Sequence, residues 1–438
     1  MKRPIALLSV LAAAAWPAAC SVDEKLTPVD SGIEAGGDDA GDGGIPCGAT
    51  GVSKGPWTLA MNETAITVRW EACRAGTSSG VTYTPEAGGA SAHADGWERA
   101  AQTSETYVAA LNPKAPPDYA GTWWMHEARI TNLAPSTCYR FTLDADPAQK
   151  GRFCTSRKAG EPFRFMAIGD THPELGDNTS RVFSHVVWPD PAKAWDFSLH
   201  MGDIQYYSGG LATWASWFPL MAPELRAGAT LVAMGNHELE KPWEYTEYSL
   251  RFFGGSGFDG SDEHYRFESG GVWFFTVDTE GPTDPQSLQG QWLSAQLADA
   301  SKRPGYRFSV LWIHRPYLTC GDTSDNEPEL AAWGPTFDQY GVRLILQGHM
   351  HGYERFRYGG RTVITTAGGG GSIADPNKNA QRAYCGAPDA GADAGAGARA
   401  SWGPWYHAMV FSVSAGKLHG DAIDTNGTVV DAFDDVVP

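Results

Sequence analysis

The chain has 438 residues, more than one ordinary domain holds, so two or three domains are expected. With 42% hydrophobic and 19% charged residues it can bury a sizeable core, which excludes global disorder. Lys plus Arg total 33 against 51 Asp plus Glu, a formal charge of −18 that argues against nucleic acid as a partner, because backbone binding rewards basic stripes.

Residues 1–20 read as an export signal. Lys2 and Arg3 supply the positive start, Ile5 to Trp16 an apolar run, and Pro17-Ala18-Ala19 the residues before Cys20. The run falls short of the ~20 residues that span a bilayer. Its end resembles the bacterial lipoprotein signal, which implies that Cys20 is the lipid-attached first residue and anchors the protein to a membrane. Under that resemblance, Ser21 after the cysteine points to the outer membrane of a Gram-negative envelope. Pro17 stands where such signals usually carry an aliphatic residue, so an ordinary secretory signal is the alternative. Residues 21–46, rich in Gly and Asp, bury too little apolar surface to offset ordering entropy and read as a disordered tether. Residues 386–400 have the same composition and read as a low-complexity surface loop, with patterned sequence resuming at Trp402.

From 47 to 157 short alternating strands follow one another. AITVRW (65–70), GVTYTP (80–85) and HEARITNL (126–133) are each bounded by turn residues, and a β-sandwich is expected. STCYRFTL (136–143) and GRFCTS (151–156) form two arms of a hairpin turning near Asp146-Pro147. Cys138 and Cys154 are equidistant from Asp146, so they can face each other across the ladder. Cys47, Cys73, Cys320 and Cys385 complete an even set that suits an exported protein with disulfides, in a connectivity that spacing leaves open. No CxxC pair is present, which argues against a structural zinc site of that type. NLAPSTCYRFTL followed by FCTS resembles the end of a fibronectin type III domain.

Residues 160–438 change character. FRFMAI (163–168) runs into Gly169-Asp170-Thr171-His172, and DFSLHM (196–201) into Gly202-Asp203-Ile204-Gln205-Tyr206. TLVAM (230–234) leads to Gly235-Asn236-His237-Glu238, FSVLWI (308–313) to His314, and VRLILQ (342–347) to Gly348-His349-Met350-His351. Helix-compatible segments lie between most of them, as in SLQGQWLSAQLADA (287–300), where Leu288, Trp292, Leu293 and Leu297 are expected to share a face. Apolar strands alternating with helices imply an α/β fold with ligands at the carboxyl ends of the strands. Each of the five strands delivers Asp, Asn or His to that edge. One Gly-Asp after a strand is an ordinary turn; five such ends in one chain are a site.

The order GD, GDxxY, GNHE, xxxH, GHxH resembles the metallophosphoesterase (calcineurin-like) superfamily and, within it, the purple acid phosphatases. The glycine-rich TVITTAGGGG (362–371) and the closing WYHAMVFSVSAGKLHGDAIDTNGTVVDAF are similar to that subfamily too, and a fibronectin-like module is its usual N-terminal partner. The resemblance implies an α/β sandwich of two central sheets flanked by helices, and a hydrolase of phosphate esters, most simply a phosphomonoesterase acting through a metal-activated hydroxide. It implies two metals bridged by Asp203. The first is held by Asp170, Tyr206 and His351, the second by Asn236, His314 and His349. Oxygen donors suit Fe(III), whereas imidazole and amide suit Zn(II), Mn(II) or Fe(II). His237 is then placed to contact the phosphate or protonate the leaving oxygen.

Two features depart from the subfamily. His172 stands where glycine is usual, and other metallophosphoesterases use a histidine there, so His172 is the alternative to Tyr206 at the first metal; the C-terminal pattern favours Tyr206. The loop after His314 has no histidine, although relatives place substrate-contacting ones there; Arg315 and Tyr317 are the candidates to replace them, and each also suits a structural role. Phosphodiesterase activity is the neighbouring expectation, and a non-catalytic surface-adhesion lipoprotein the expectation from a different class.

Overall fold

The strands that carry the motifs are buried on both faces, which is why they read as unbroken apolar runs. The computed structural model describes residues 49–103, 121–171, 177–187, 193–205, 210–239, 245, 249–255, 259–386 and 398–438. The export signal with Cys20, the tether, Cys47, His172 and Tyr206 lie outside the described residues.

The N-terminal part contributes β1 (Val52–Leu59), β2 (Ile66–Ala72), β3 (Val81–Pro85), β4 (Ala92–Ala94), β5 (Trp97–Thr103), β6 (Gly121–Ile130), β7 (Cys138–Leu143) and β8 (Lys150–Cys154). The expected sandwich forms: β4-β3-β7-β8 is one sheet, and β1-β2-β6-β5 belongs to the other. Cys138 sits opposite Cys154 across the β7–β8 ladder and the two are disulfide-bonded.

The second part contributes β9 (Phe163–Ile168), α1 (Asn178–Val186), β10 (Phe197–His200), α2 (Gly210–Leu225), β11 (Ala229–Val232), the one-turn helices α3 (Asn236–Leu239) and α4 (Leu250–Phe253), and β12 (Asp259–Gly260). After these come β13 (Tyr265–Ser269), β14 (Val272–Thr276), α5 (Leu288–Ala300), β15 (Phe308–Trp312), α6 (Glu327–Gln339), β16 (Val342–Gln347), β17 (Tyr353–Tyr358) and β18 (Arg361–Thr366). The chain closes with β19 (Ala398–Gly403), β20 (His407–Ser414), β21 (Lys417–Asp424) and β22 (Val429–Val436). β9, β10 and β11 run parallel in one sheet, and β14, β15, β16 and β18 in the other. Phe163, Phe165 and Phe197 on the first sheet interlock with Phe267 and Phe274 on the second, for example with Phe165 and Phe274 edge to face at 5.4 Å. Outer apolar layers cover the sandwich: Val182, Phe183, Trp214, Trp217 and Phe218 on one side, Leu293, Leu297, Trp333 and Phe337 on the other.

Three details differ from the sequence expectation. The two β regions are not separate sheets: β1 pairs in parallel with β11 at Thr58 and Ala229, so strands β22-β21-β20-β9-β10-β11-β1-β2-β6-β5 form one ten-stranded sheet. Leu288 is 90% exposed, because it lies about 140° round the helix from Leu293, and the buried stripe is Gly290, Leu293, Leu297 and Ala300. Residues 398–400, expected within the 386–400 loop, belong to a strand, Ala398–Gly403, paired with β17, while 387–397 lie outside the described residues. The signal there is long-range: Arg399 is buried against Glu354 and donates to the Pro376 carbonyl.

Among the described helices, none is long and apolar enough to cross a membrane. In α2, Glu224 is fully buried and neither carboxylate oxygen makes a well-formed hydrogen bond. Burial pushes its pKa from 4.5 up to about 7, against a smaller opposing pull from the Ser198 hydroxyl. A carboxyl raised on folding stabilises in its neutral form, so that contribution is complete below the unfolded value and is lost as pH rises through about 7. Glu224→Gln should leave stability near pH 4 unchanged and raise it at pH 8 by roughly 2–3 kcal/mol. Denaturant midpoints measured at both pH values decide this; an equal change at both refutes it.

Candidate metal centre

Short turns at the carboxyl ends of β9, β10, β11, β15 and β16, glycine-bearing at all but β15, bring Asp170, Asp203, Asn236, His237, His314, His349 and His351 to one edge of the sandwich. Three of these residues have left-handed backbones although none is glycine: Asp170 (φ 58), Asp203 (φ 48) and His349 (φ 69). That conformation is disfavoured by roughly 1–2 kcal/mol per residue and persists where surroundings over-determine it. Here they do. Both oxygens of Asp170 accept the His349 backbone N–H at 3.1 Å, and Asp203 Oδ1 accepts the His237 N–H at 3.0 Å. Gly235 is irreplaceable on space alone, because a Cβ there would lie 2.3 Å from the Asp203 nitrogen and 2.4 Å from its Oδ1.

Inside this frame the side-chain atoms converge. His314 Nε2 is 3.1 Å from Asn236 Oδ1, 3.1 Å from His349 Nδ1 and 3.3 Å from Asp203 Oδ2. Ligand atoms of Asp203, His314 and His349 all lie within 4.8 Å of one another. A second group forms beside them, with His351 Nε2 3.4 Å from Asp170 Oδ1. The outward nitrogens fix the tautomers: His314 Nδ1 donates to the Met201 carbonyl and His351 Nδ1 to that of Ser372, each at 2.8 Å. The inward nitrogens therefore carry lone pairs, and they face carboxylate and amide oxygens that are also acceptors. Such a cluster is stable around a cation, and imidazoles anchored through their far nitrogen are the usual outer support of a metal site.

The electrostatics agree. Burial opposes charge on His314, yet the carboxylates of Asp203 and Asp170 push its pKa up to about 10, so without a metal the cluster recruits a proton. Burial drives His349 the other way, well below the ordinary histidine value, helped by the charge on His314. Burial raises Asp203 as well, but the surrounding histidines outweigh it and hold the carboxyl well below the usual range. For Asp170 burial wins, and its pKa is raised.

His237 sits at the rim, partly exposed, with Nε2 3.8 Å from Asp203 Oδ2. Tyr317 is buried in the apolar layer near α6 and does not reach the cluster. The described residues thus assemble both expected sets apart from Tyr206 and its alternative His172.

The sequence left three contributors without a role. Glu238 is buried and accepts backbone N–H groups from Asp203, Ile204 and Gly235, each at 2.8 Å, stapling the β10 and β11 turns together. Burial and the Asp203 charge push its carboxyl up to about 8. Its signal was the Glu closing Gly-Asn-His-Glu. Glu238→Gln turns an amide NH2 toward backbone donors and should weaken metal affinity about 10–100-fold, the range for outer-shell partners. Competition with a chelator measures this, and unchanged affinity sinks it. The glycine-rich end of β18 backs the site too, since Gly371 packs against the His351 ring and donates to the Asp170 carbonyl. The third contributor is a sixth strand end: after β14, Thr279 Oγ1 accepts the Arg315 N–H, and Glu280 grips the Arg315 guanidinium through Nε and NH2, both at 2.7 Å.

Comparison with known proteins places this geometry. Residues 163–353 match the calcineurin-like phosphoesterase family. Purple acid phosphatase 15 of Arabidopsis thaliana is 27% identical over 270 residues, covering 53% of this chain and 49% of the relative. The uncharacterized protein Rv2577 of Mycobacterium tuberculosis is 28% identical over 267 residues, covering 53% and 50%. The chain spans about half the length of the curated relatives it matches. Among solved structures, the purple acid phosphatase PPD1 from yellow lupin seeds superposes with a TM-score of 0.65 at 16% identity, over 87% of this chain and 74% of that one. PhoD superposes at 0.53 with 10% identity, over 88% of both. At those identities the likeness is one of fold.

Proposed function

We propose that this chain, a purple acid phosphatase-like metallophosphoesterase whose calcineurin-like phosphoesterase region spans residues 163–353, hydrolyses phosphate esters outside the cytoplasm at a centre of two metal ions. The observation that carries the reading is the ring of acceptor atoms from Asn236, Asp203, His314 and His349, together with the Asp170–His351 pair. Asp170 and His351, with Tyr206 or His172, would hold one cation; Asn236, His314 and His349 would hold the other; Asp203 would bridge. Fe(III) suits the oxygen-rich set, and Zn(II), Mn(II) or Fe(II) the other. Such a pair supplies Lewis acidity and a water acidic enough to ionise near neutral pH.

The rest of the work falls to the side chains. Asp203, held by the His237 N–H and surrounded by histidines, stays ionised. His237 at the rim contacts the phosphate and passes a proton from its ring nitrogen to the leaving oxygen. Glu238 keeps the two turns from parting. Phosphomonoesters are the substrates expected from the subfamily, with phosphodiesters as the rival class. Attachment to the outer membrane through a lipid on Cys20 belongs to the same proposal and rests on the signal-like residues 1–20.

The test is metal content, visible spectrum and turnover of the purified protein on aryl mono- and diesters. Two metals per chain with ester hydrolysis are expected, one of them iron, with a phenolate-to-Fe(III) band that Tyr206→Phe removes. With Fe(III) established, absence of that band moves the first-site ligand to His172. No bound metal after reconstitution, and no turnover of either ester, overturns the enzyme and leaves an adhesion protein.

A further inference from the structure

The loop after His314 lacks the histidines that would contact substrate, and the structure shows what stands there instead. Arg315 follows His314 directly. Its Nε and NH2 are held by the two oxygens of Glu280, a planar fork-to-fork pair that removes most of the side chain's freedom. Its backbone is fixed as well, through Thr279 Oγ1 at 2.8 Å. The remaining nitrogen, NH1, points at the cluster and lies 3.2 Å from His349 Nε2. The side chain is 38% exposed, so the guanidinium faces the mouth of the site and not the core.

His349 turns Nδ1 toward His314 Nε2, at 3.1 Å. Were that nitrogen to hold a cation, the ring's hydrogen would sit on Nε2. NH1 would then face a second donor and would be available to an acceptor elsewhere. An anionic oxygen arriving at the cluster is the acceptor it lacks.

Resting on the phosphate-ester reading above, we propose that Arg315 is a specificity-determining residue that binds a non-bridging phosphate oxygen through NH1, with Glu280 as its positioning residue. Glu280 does a second thing. It cancels the arginine's charge, so the contact orients the phosphate by direction and adds little attraction for a second negative charge.

The experiment uses the metal-loaded protein, inorganic phosphate as the calorimetric probe, and aryl mono- and diester kinetics. Arg315→Met should raise KM and weaken phosphate binding by about 10–100-fold, the range for a hydrogen bond to a charged group, with metal content and kcat nearly unchanged. Glu280→Gln keeps an acceptor oxygen but frees the charge; phosphate should bind several-fold more tightly, and kcat/KM for the dianionic monoester should rise relative to the diester. Unchanged KM and phosphate affinity in metal-replete Arg315→Met overturns the substrate contact. Loss of metal from that variant overturns it too, by assigning Arg315 to holding His349. Phosphate affinity in Glu280→Gln that is equal or weaker overturns the charge cancellation. A wild-type protein without metal or turnover defeats the phosphate-ester reading itself, an outcome visible before any variant is made.

Discussion

Asp203→Asn should cut ester turnover by more than the roughly 10–100-fold typical of outer-shell partners of a metal site, and lower metal content from two toward one, with the fold retained. The reason lies in the two oxygens. Oδ1 accepts the His237 N–H, and Oδ2 faces His314 Nε2 at 3.3 Å. An amide can keep the first contact only by turning its NH2 toward His314, where it becomes a donor to the lone pair that a cation needs. In the other orientation its NH2 opposes the His237 N–H donor. Either way one acceptor is lost at the centre of the cluster, and with it the charge that draws His314 up to about 10. Metal analysis, turnover and circular dichroism on the same sample decide the matter. Undiminished turnover would mean that the cluster is not the catalytic centre.

Glu71→Ala should cost about 3–5 kcal/mol of stability, the range for leaving buried charge unpaired. Glu71 is fully buried between Lys54 and Arg251, with Ser53 Oγ donating to Oε1 at 3.0 Å. Burial would raise its pKa, but the two cations outweigh that and hold it below the ordinary value. Lys54 also lies over the Trp123 ring at 4.2 Å. Removing the carboxylate strands two cations in a dry site. Replacing all three by apolar residues, as in Lys54→Met with Glu71→Leu and Arg251→Met, should recover most of the loss. A cost below about 1 kcal/mol in urea unfolding would show the cluster to be solvated and of little weight.

That cluster also says how the N-terminal sandwich serves the site. Arg251 belongs to α4, and the neighbouring carbonyls of Phe252 and Gly254 accept from Arg69, with Phe252 accepting from Trp57 as well. The sandwich therefore clamps the segment downstream of Gly-Asn-His-Glu while its sheet continues the one that carries Asp170, Asp203 and Asn236. The sequence reading places residues 47–157 and 160–438 in separate domains. A carboxylate on β2, a lysine on β1 and an arginine some 180 residues later have no shared sequence pattern, so only folding could show that they neutralise one another.

The amino-acid sequence by itself determined the strands and the candidate ligands they carry. Burial on both faces demands apolar runs, sharp turns toward a common point demand glycine, and metal chemistry demands Asp, Asn and His; all three are local requirements and leave local marks. The Cys138–Cys154 pairing was equally legible, because hairpin register is set by distance from the turn. Tertiary structure alone decided which atoms of those ligands meet, that Glu238 ties two turns, that β14 supplies Glu280 to fix Arg315, and that β1 joins β11 to make one sheet of two regions. These depend on hydrogen bonds and ion pairs between residues far apart in the chain. Such partners are chosen by proximity after folding, and nothing in the spacing of one residue records the position of the other.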